Sequence, residues 1–204
     1  MGRPSDAKAR LMKAVRELIW TGSYGSTTID QICERAGVKK GSFYYFFDSK
    51  CDLAVEALDE DFQKRRVELD AIFSPTVPPL DRIRNYCEFG YRLQAELKKE
   101  CGVVLGCPLC TLGAEVSTQD EKLRLKIQEI LQYKSKYIET AIRDADAAGL
   151  IKAPDAAAKT RMVRAYVEGL LTQARIQNDL APLREVVQGV FDLLGAKESQ
   201  SVAA

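Results

Sequence analysis

Residues 28–50 read TIDQICERAGVKKGSFYYFFDSK, and this stretch determines how the rest of the chain is interpreted. Its first half has apolar residues at helical spacing, Thr28 can cap the start of the helix, and Gly37 can end it in a left-handed conformation. The apolar face consists of Ile29, Ile32, Cys33 and Ala36. A second short helix is predicted over Lys40–Phe46. Two short helices joined by a tight glycine turn are typical of a helix-turn-helix motif.

The second of these helices occupies the position that reads DNA in such a motif. DNA reading requires small residues where the backbone approaches a phosphate, and long polar residues that reach base edges. Both kinds of residue are present among Lys39, Lys40, Gly41, Ser42, Tyr44 and Tyr45. Phe43 and Phe47 lie four residues apart on one helical face, so we expect them to hold the helix on the core.

Outward from this segment, the hydrophobic pattern stays helical along the chain. Apolar residues recur at helical spacing before Gly22, from Ser49 to about Ile72, over residues 80–91, and from Leu123 to near Gly149. Two further helices are predicted at Ala156–Gln177 and at residues 182–194. No alternation of period two is sustained enough for a strand. The predicted fold class is therefore all-α.

Composition excludes several classes of protein. The chain has 204 residues, of which 46% are hydrophobic and 29% charged, enough for a packed core in one or two domains. It has no histidine, which removes Ser-His-Asp and Cys-His nucleophiles, histidine bases and most zinc sites. We therefore expect no enzyme, no metal and no cofactor. No apolar run reaches the ~18 residues of a membrane span, and the amino terminus lacks the apolar region of a signal peptide, so a cytoplasmic location is expected.

Positive charge is concentrated at the amino end. Residues 1–50 carry nine Lys or Arg against five acids, whereas the remaining residues carry a slight excess of acids. A small basic segment on a slightly acidic body is expected of a protein that contacts a polyanion with one end only. This charge distribution agrees with DNA binding by the helix-turn-helix segment.

From about Lys8 to Glu60, the chain resembles the amino-terminal signature of the tetracycline-repressor (TetR) family of transcriptional regulators. Residues 28–50 carry most of this resemblance. It implies an all-α fold in which an amino-terminal three-helix domain with the helix-turn-helix precedes a larger helical domain for ligand binding and dimerisation. We expect the DNA-binding domain at residues 1–50 and the effector-binding and dimerisation domain at residues 51–204.

The resemblance also implies DNA contacts. Thr28 and nearby amides would meet a phosphate at the start of the second helix, and Lys50 would pair with another from the start of the fourth. Lys40, Gly41 and Ser42 would face the major groove, and Tyr44 and Tyr45 would contact a phosphate or a base methyl group. The predicted DNA-binding residues are Thr28, Lys39, Lys40, Gly41, Ser42, Tyr44, Tyr45 and Lys50. Phe46 stands where many family members have His or Tyr, so a polar contact to the DNA backbone that is common in the family is expected to be absent.

In this family the carboxy-terminal helices form a dimer interface and a pocket whose ligand loosens DNA binding. The candidate effector-binding residues are the aromatic and thiol side chains of Tyr86, Phe89, Cys107, Cys110, Tyr133 and Tyr137. Aliphatic stripes on Ala156–Gln177 and residues 182–194 predict a four-helix dimer interface. Its candidate residues are Tyr166, Leu170, Val186 and Val190.

Residues 106–110 contain a Cys-x-x-Cys spacing, with Pro108 at the expected first position of a helix. A thiol at a helix amino terminus is a candidate redox sensor, because the helix dipole lowers its pKa. The alternative is simple packing, since buried cysteines behave as small hydrophobes. Cys101 would add only a third thiolate, so these residues do not complete a tetrahedral metal site.

The sequence therefore predicts a homodimeric repressor that a small-molecule effector releases from a near-palindromic operator. Its expected partners are double-stranded operator DNA, the effector and a second copy of the chain, without a membrane. One alternative is a regulator of the same class that senses oxidants or electrophiles through Cys107 and Cys110. The other is a cytosolic helical enzyme or carrier with a covalent cysteine, which would show no preference among DNA sequences.

Overall fold

A computed structural model describes residues 4–196. Within that range the chain forms nine α-helices, one short 3₁₀ turn at Ala181–Leu183 and no strand, which confirms the predicted all-α fold. None of these helices is long and apolar enough to cross a membrane. The helices are α1 (Pro4–Thr21), α2 (Ile29–Ala36), α3 (Lys40–Phe46), α4 (Lys50–Ile72), α5 (Pro79–Cys101), α6 (Pro108–Val116), α7 (Glu121–Ala147), α8 (Ala156–Gln177) and α9 (Val186–Leu194).

Local capping signals set the boundaries of the helix-turn-helix segment. The Thr28 hydroxyl accepts a hydrogen bond from the N–H of Gln31, whose side chain accepts one from the N–H of Thr28 in return. Gly37 ends α2 with a φ of 62°, in the left-handed region. At the start of α4, Ser49 Oγ accepts from the N–H of Asp52 at 3.1 Å. The bounds predicted from these residues are confirmed.

The last helix is shorter than the sequence pattern indicated. It begins at Val186, so the start predicted at Pro182 is wrong. Pro182 instead belongs to a 3₁₀ turn, which the N–H of Arg184 closes by donating to Ala181 O at 3.1 Å. Apolar residues continue across this turn at helical spacing, so hydrophobic periodicity alone does not reveal the break.

The described residues group into two compact units. The first contains residues 4–67 together with Pro108–Leu131. It therefore includes α1–α3, most of α4, α6 and the start of α7. Its apolar core is formed by Leu11, Met12, Ala14, Val15, Ile32, Cys33, Ala36, Phe43, Phe47, Leu53 and Ala57.

The second unit contains Glu68–Cys107 and residues 132–196. Its buried side chains include Ile83, Ile138, Ile142, Val163 and Phe191. Arg82 is buried with them, and its guanidinium donates to Asp144 Oδ2 at 2.5 Å and to Val77 O at 2.7 Å. This arginine ties the start of α5 both to the preceding loop and to α7.

Candidate nucleic-acid interface

The core of the first unit holds α2 and α3 by their apolar faces. Ile32 and Phe43 are fully buried, and Phe47 packs beside Phe43 with ring centroids 6.0 Å apart. The turn between the two helices is closed by the N–H of Val38, which donates to Cys33 O at 3.0 Å. With Phe43 fixed inward, α3 presents its opposite face to solvent.

That face carries most of the predicted DNA-binding residues. Tyr45 is 77% exposed and Tyr44 is 53% exposed, although each ring rests edge-on against a neighbouring phenylalanine. The other residues of this face are also exposed except for Ser42, which is half-buried. We call this group the α3 surface, and it consists of Lys39, Lys40, Gly41, Ser42, Tyr44 and Tyr45.

Gly41 leaves an open position in the middle of this surface. A Cβ added at Gly41 would meet no atom within 4 Å, so nothing in the protein requires a glycine there. Glycine lowers the stability of a helix relative to alanine, yet it permits the backbone to come close to a ligand. Its place in a seven-residue helix is typical of a point where another molecule approaches the backbone.

Lys39 differs from most basic side chains of the first unit, which are paired with acids. Lys40 Nζ lies 2.8 Å from the Asp30 carboxylate, and this hydrogen bond raises the pKa of Lys40. Ion pairs of the same kind hold Lys8, Arg10, Arg16 and Arg35. Lys39 has no ion-pair partner among residues 4–196. Its charge can therefore pair with an external anion at no cost to an internal bond.

Thr28 and Lys50, the predicted phosphate contacts outside the α3 surface, form bonds within the unit. The Thr28 hydroxyl is engaged with Gln31 in the helix cap. Lys50 Nζ donates to the carbonyl oxygens of Tyr24 and Thr27, each at 2.7 Å, and lies 4.1 Å from the centre of the Tyr24 ring. Burial lowers the pKa of Lys50. Their roles as phosphate contacts stay predictions.

Two carboxylates that no local sequence pattern marks contact the turn before α2, at residues 22–27. Glu115 accepts hydrogen bonds from the N–H groups of Tyr24 at 3.0 Å and Gly25 at 2.7 Å. Asp120 accepts one from the Tyr24 hydroxyl at 3.2 Å. Glu115 lies 91 residues after Tyr24 in the chain, so no local sequence pattern could have linked them.

In the second unit, three of the predicted effector-binding residues gather around Phe73. The centre of its ring is 5.5 Å from that of Tyr86 and 5.2 Å from that of Tyr137, and Tyr133 lies 6.0 Å from Tyr137. Beside them is a cleft of about 290 Å³, which we call the aromatic cleft. It is lined by Asp70, Phe73, Arg82, Tyr133, Lys136, Tyr137 and Thr140.

Two family models match the chain. Residues 11–57 match the bacterial regulatory proteins of the tetR family, and residues 79–190 match the carboxy-terminal domain of tetracyclin repressor-like proteins. The chain belongs to the TetR family. The resemblance carried by residues 28–50 is thereby confirmed, and the protein is a helix-turn-helix transcriptional regulator rather than an enzyme.

Similar proteins cover nearly the whole chain. The transcriptional regulator AcuR of Cereibacter sphaeroides is 29% identical over 194 residues, which span 89% of this chain and 85% of AcuR. An uncharacterised HTH-type regulator of Lactococcus lactis, from the lacX 3' region, is 27% identical over 192 residues, or 93% and 91% of the two chains. A TetR-family regulator from Agrobacterium tumefaciens has the same fold, with a TM-score of 0.84 at 20% identity over 94% of this chain and 99% of the other.

Of the six effector candidates of this TetR-family chain, only Tyr133 and Tyr137 line the aromatic cleft. Tyr86, Phe89, Cys107 and Cys110 are each half-buried, and none of the four is among the residues of its wall. All six cysteines lie within residues 4–196 and none forms a disulfide. Over the same range, no group of three or more Cys, Asp or Glu side chains is arranged to hold a metal ion.

The four residues predicted at the dimer interface of this TetR-family chain differ in burial. Val190 is fully buried and Val186 is 4% exposed, so both belong to the core of their own unit. Burial does not support them as interface residues, because a side chain covered within its own chain has no surface left for a partner. Tyr166 and Leu170 are half-buried on α8. The exposed part of α8 carries Met162, Ala165, Gly169 and Ile176.

Proposed function

We propose that this TetR-family regulator is a repressor that binds a near-palindromic operator as a homodimer and releases it when a small molecule binds. The α3 surface carries this proposal, because it combines exposed tyrosines, an unpaired Lys39 and an open Gly41. In this scheme residues 1–50 read DNA, and residues 51–204 bind the effector and the second copy. Such a protein acts in the cytoplasm, where its operator is.

Contacts to DNA divide into those that position the protein and those that read sequence. Lys39, Thr28 and Lys50 meet phosphates, and the major groove receives Lys40, Gly41 and Ser42 with the two tyrosines beside them. Lys40 must leave Asp30 or share its proton donors with a base edge. Phosphate contacts make the affinity fall with rising salt, whereas the groove contacts determine which sequence is bound.

Two copies are needed to read two half-sites. In a dimer of this class, the recognition helices enter successive major grooves about 34 Å apart, which accounts for a near-palindromic operator. The exposed apolar residues of α8 support this helix as the main contact between copies, since Met162 is 48% exposed and Ile176 is 79% exposed. Tyr166 and Leu170 flank this surface, and α9 supports it from the core of the unit.

The aromatic cleft is our proposed effector site. Its volume is near the lower end of the roughly 300–1,000 Å³ typical of small-molecule sites, and its wall combines aromatic rings with a few charged groups. Tyr133 and Tyr137 lie on α7 and Arg82 on α5, and all three line the cleft, so a ligand there contacts two long helices. A ligand that binds better to a conformation unable to span two half-sites shifts the population toward it and frees the operator.

Gly41→Ala tests the DNA-binding surface. Because a Cβ at Gly41 meets open space, alanine leaves the fold intact and stabilises α3 by about 0.5–1 kcal/mol. We expect this variant to bind the DNA upstream of its own gene at least about tenfold more weakly, since one methyl group prevents the close approach of the helix. Gly90→Ala is the matched control, as Gly90 is also helical with open space around it. If Gly41→Ala bound the operator with wild-type affinity, the α3 backbone would not come close to DNA.

A further inference from the structure

The turn at residues 22–27, between α1 and α2, is held by polar side chains rather than by the apolar core. Its N–H groups face Glu115 of α6, and two of its carbonyl oxygens face Lys50 of α4. The turn leads directly into Thr28, the cap of α2. Whatever fixes this turn therefore fixes where the helix-turn-helix begins.

Glu115 makes the most direct of these contacts. One of its carboxylate oxygens accepts from the N–H of Tyr24 at 3.0 Å and the other from the N–H of Gly25 at 2.7 Å. Hydrogen bonds to an ionised carboxylate are stronger than those between neutral groups. Gly25 leaves room for this approach, because a Cβ there would lie 3.2 Å from Glu115 Oε1. The turn thus has the residue that lets the carboxylate reach two consecutive amides.

Asp120 holds the same turn through the Tyr24 side chain. It accepts from the Tyr24 hydroxyl and from the Cys51 thiol, each at 3.2 Å, and it caps α7 by accepting from the N–H of Leu123 at 3.0 Å. Tyr24 is buried, so its hydroxyl needs such a partner. One carboxylate therefore joins the start of α4, the start of α7 and the turn before α2.

We propose that Glu115 and Asp120 are positioning residues for DNA recognition, because they hold the turn that orients α2 and α3. The inference rests on the proposed DNA-binding role of the α3 surface. Both carboxylates are half-buried and neither belongs to the apolar core, so α2 and α3 stay folded without them. What is lost is the fixed angle of α3. Specific binding needs all base contacts at once and suffers from such a change, whereas non-specific phosphate binding does not.

The test measures affinity for two DNA duplexes, one selected from random sequence by the wild-type protein and one with that sequence scrambled. We expect Glu115→Ala to lower affinity for the selected duplex about tenfold and to change affinity for the scrambled duplex by less than about twofold. Glu121→Ala is the matched control, because Glu121 is exposed on neighbouring α7 and within residues 4–196 its ion pair is with Arg124. It should leave both affinities unchanged.

Two double-mutant cycles separate positioning from a general loss of stability. Gly25→Ala crowds the Glu115 carboxylate, so it should weaken specific binding in the wild type but add nothing in Glu115→Ala. Tyr24→Phe and Asp120→Asn disturb one hydrogen bond from its two ends, and Asn still caps α7. Their effects on specific binding should therefore not add. If Gly25→Ala weakens specific binding equally in the wild type and in Glu115→Ala, the proposal for Glu115 is overturned. If the effects of Tyr24→Phe and Asp120→Asn add, the proposal for Asp120 is overturned.

A further result would also overturn the positioning role. If Glu115→Ala lowers affinity for both duplexes by the same factor, or changes only the melting temperature, the contact is merely structural. Lys39→Ala, tested on the same duplexes, distinguishes this from failure of the DNA surface itself. If Lys39→Ala binds both duplexes as tightly as the wild type, the α3 surface does not bind DNA. If Lys39→Ala binds more weakly but Glu115→Ala keeps the wild-type ratio of affinities for the selected and scrambled duplexes, only the positioning role is overturned.

Discussion

The side chain of Tyr166 lies directly over Gly189, so that a Cβ at position 189 would come 1.9 Å from the Tyr166 hydroxyl oxygen and 2.4 Å from its ring. The two residues bring α8 and α9 close together within one chain. The aromatic ring fills the space that any side chain at position 189 would need. Close packing at this point depends on glycine for a steric reason and not for its backbone conformation.

Gly189→Ala should therefore destabilise the protein. The added methyl group forces Tyr166 out of its position, and overpacking of this kind costs about 1–3 kcal/mol. Urea unfolding followed by circular dichroism measures the change. Gly90→Ala is the control and should be neutral or stabilising, because its methyl group meets open space. Equal stability of the two variants would show that α8 and α9 separate without cost.

Gly169→Glu tests the proposed contact between copies. Gly169 is exposed on α8, and a Cβ there meets nothing within 4 Å of its own chain. A charged side chain is therefore tolerated by the protomer but not by an apolar interface, where burial of an unpaired carboxylate is unfavourable. Sedimentation should detect monomers for Gly169→Glu and dimers for Gly90→Glu. A dimer of unchanged affinity in Gly169→Glu would exclude this part of α8 from the interface.

Lys39→Ala and Lys50→Ala should differ in their effect on the stability of the protein but not in their effect on DNA binding. Lys39→Ala breaks no internal ion pair, so stability is unchanged. Lys50→Ala removes the lysine donor to Thr27 O and one of two donors to Tyr24 O, which keeps its hydrogen bond from the N–H of Thr27. We expect a loss of about 1–3 kcal/mol. Each variant should bind all DNA more weakly, with a salt dependence shallower by about one charge. An unchanged salt dependence for Lys50→Ala would confine Lys50 to its internal role.

The sequence predicts the helix-turn-helix in detail because its determinants are local. Thr28, Gly37 and Phe43 act on residues within a few positions of themselves, so spacing alone reveals cap, turn and buried face. For Val190 the sequence pattern alone does not identify what covers the side chain. An aliphatic stripe signals that a helix face is covered, but the same stripe arises whether the cover is the chain's own core or a second copy.

Contacts between residues far apart in the sequence could not be predicted from local patterns either. The pairing of Glu115 with Tyr24 and Gly25 depends on how α6 packs in the first unit, and a glutamate in a short helix carries no local mark of it. The aromatic cleft could be predicted in part. Aromatic composition identified Tyr86, Tyr133 and Tyr137 as candidates, but only the fold reveals that Phe73 joins them.

Two thiols should make stability fall in alkaline solution. Burial raises the pKa of Cys87 to about 12 and that of Cys51 to about 11, from an ordinary value of 9.0. Above pH 9 the unfolded chain therefore loses these protons, while the folded chain keeps the Cys51 proton up to about pH 11 and the Cys87 proton up to about pH 12. The stabilisation is complete below pH 9 and is lost as pH rises through this window.

Urea unfolding across that pH range measures the effect. A variant with Cys51→Ala and Cys87→Ala should have a flatter dependence than the wild type. Comparing the two slopes removes the contribution of tyrosines and lysines, which titrate in both proteins. Identical slopes would contradict the raised pKa values of both thiols.

We expect a noncovalent effector, and not oxidation of a thiol, to be the trigger that releases DNA. Cys107 and Cys110 are half-buried and do not line the aromatic cleft, so a noncovalent effector does not need them. Replacement of both by serine should leave operator binding intact, with a modest loss of stability from placing hydroxyl groups among apolar neighbours. Mild peroxide should leave operator binding unchanged whether Cys107 and Cys110 are present or replaced. Because Cys101 is exposed and can oxidise without any regulatory role, the comparison is made in a Cys101→Ser background. Loss of binding that reductant reverses, seen only when Cys107 and Cys110 are both present, would instead establish a thiol switch.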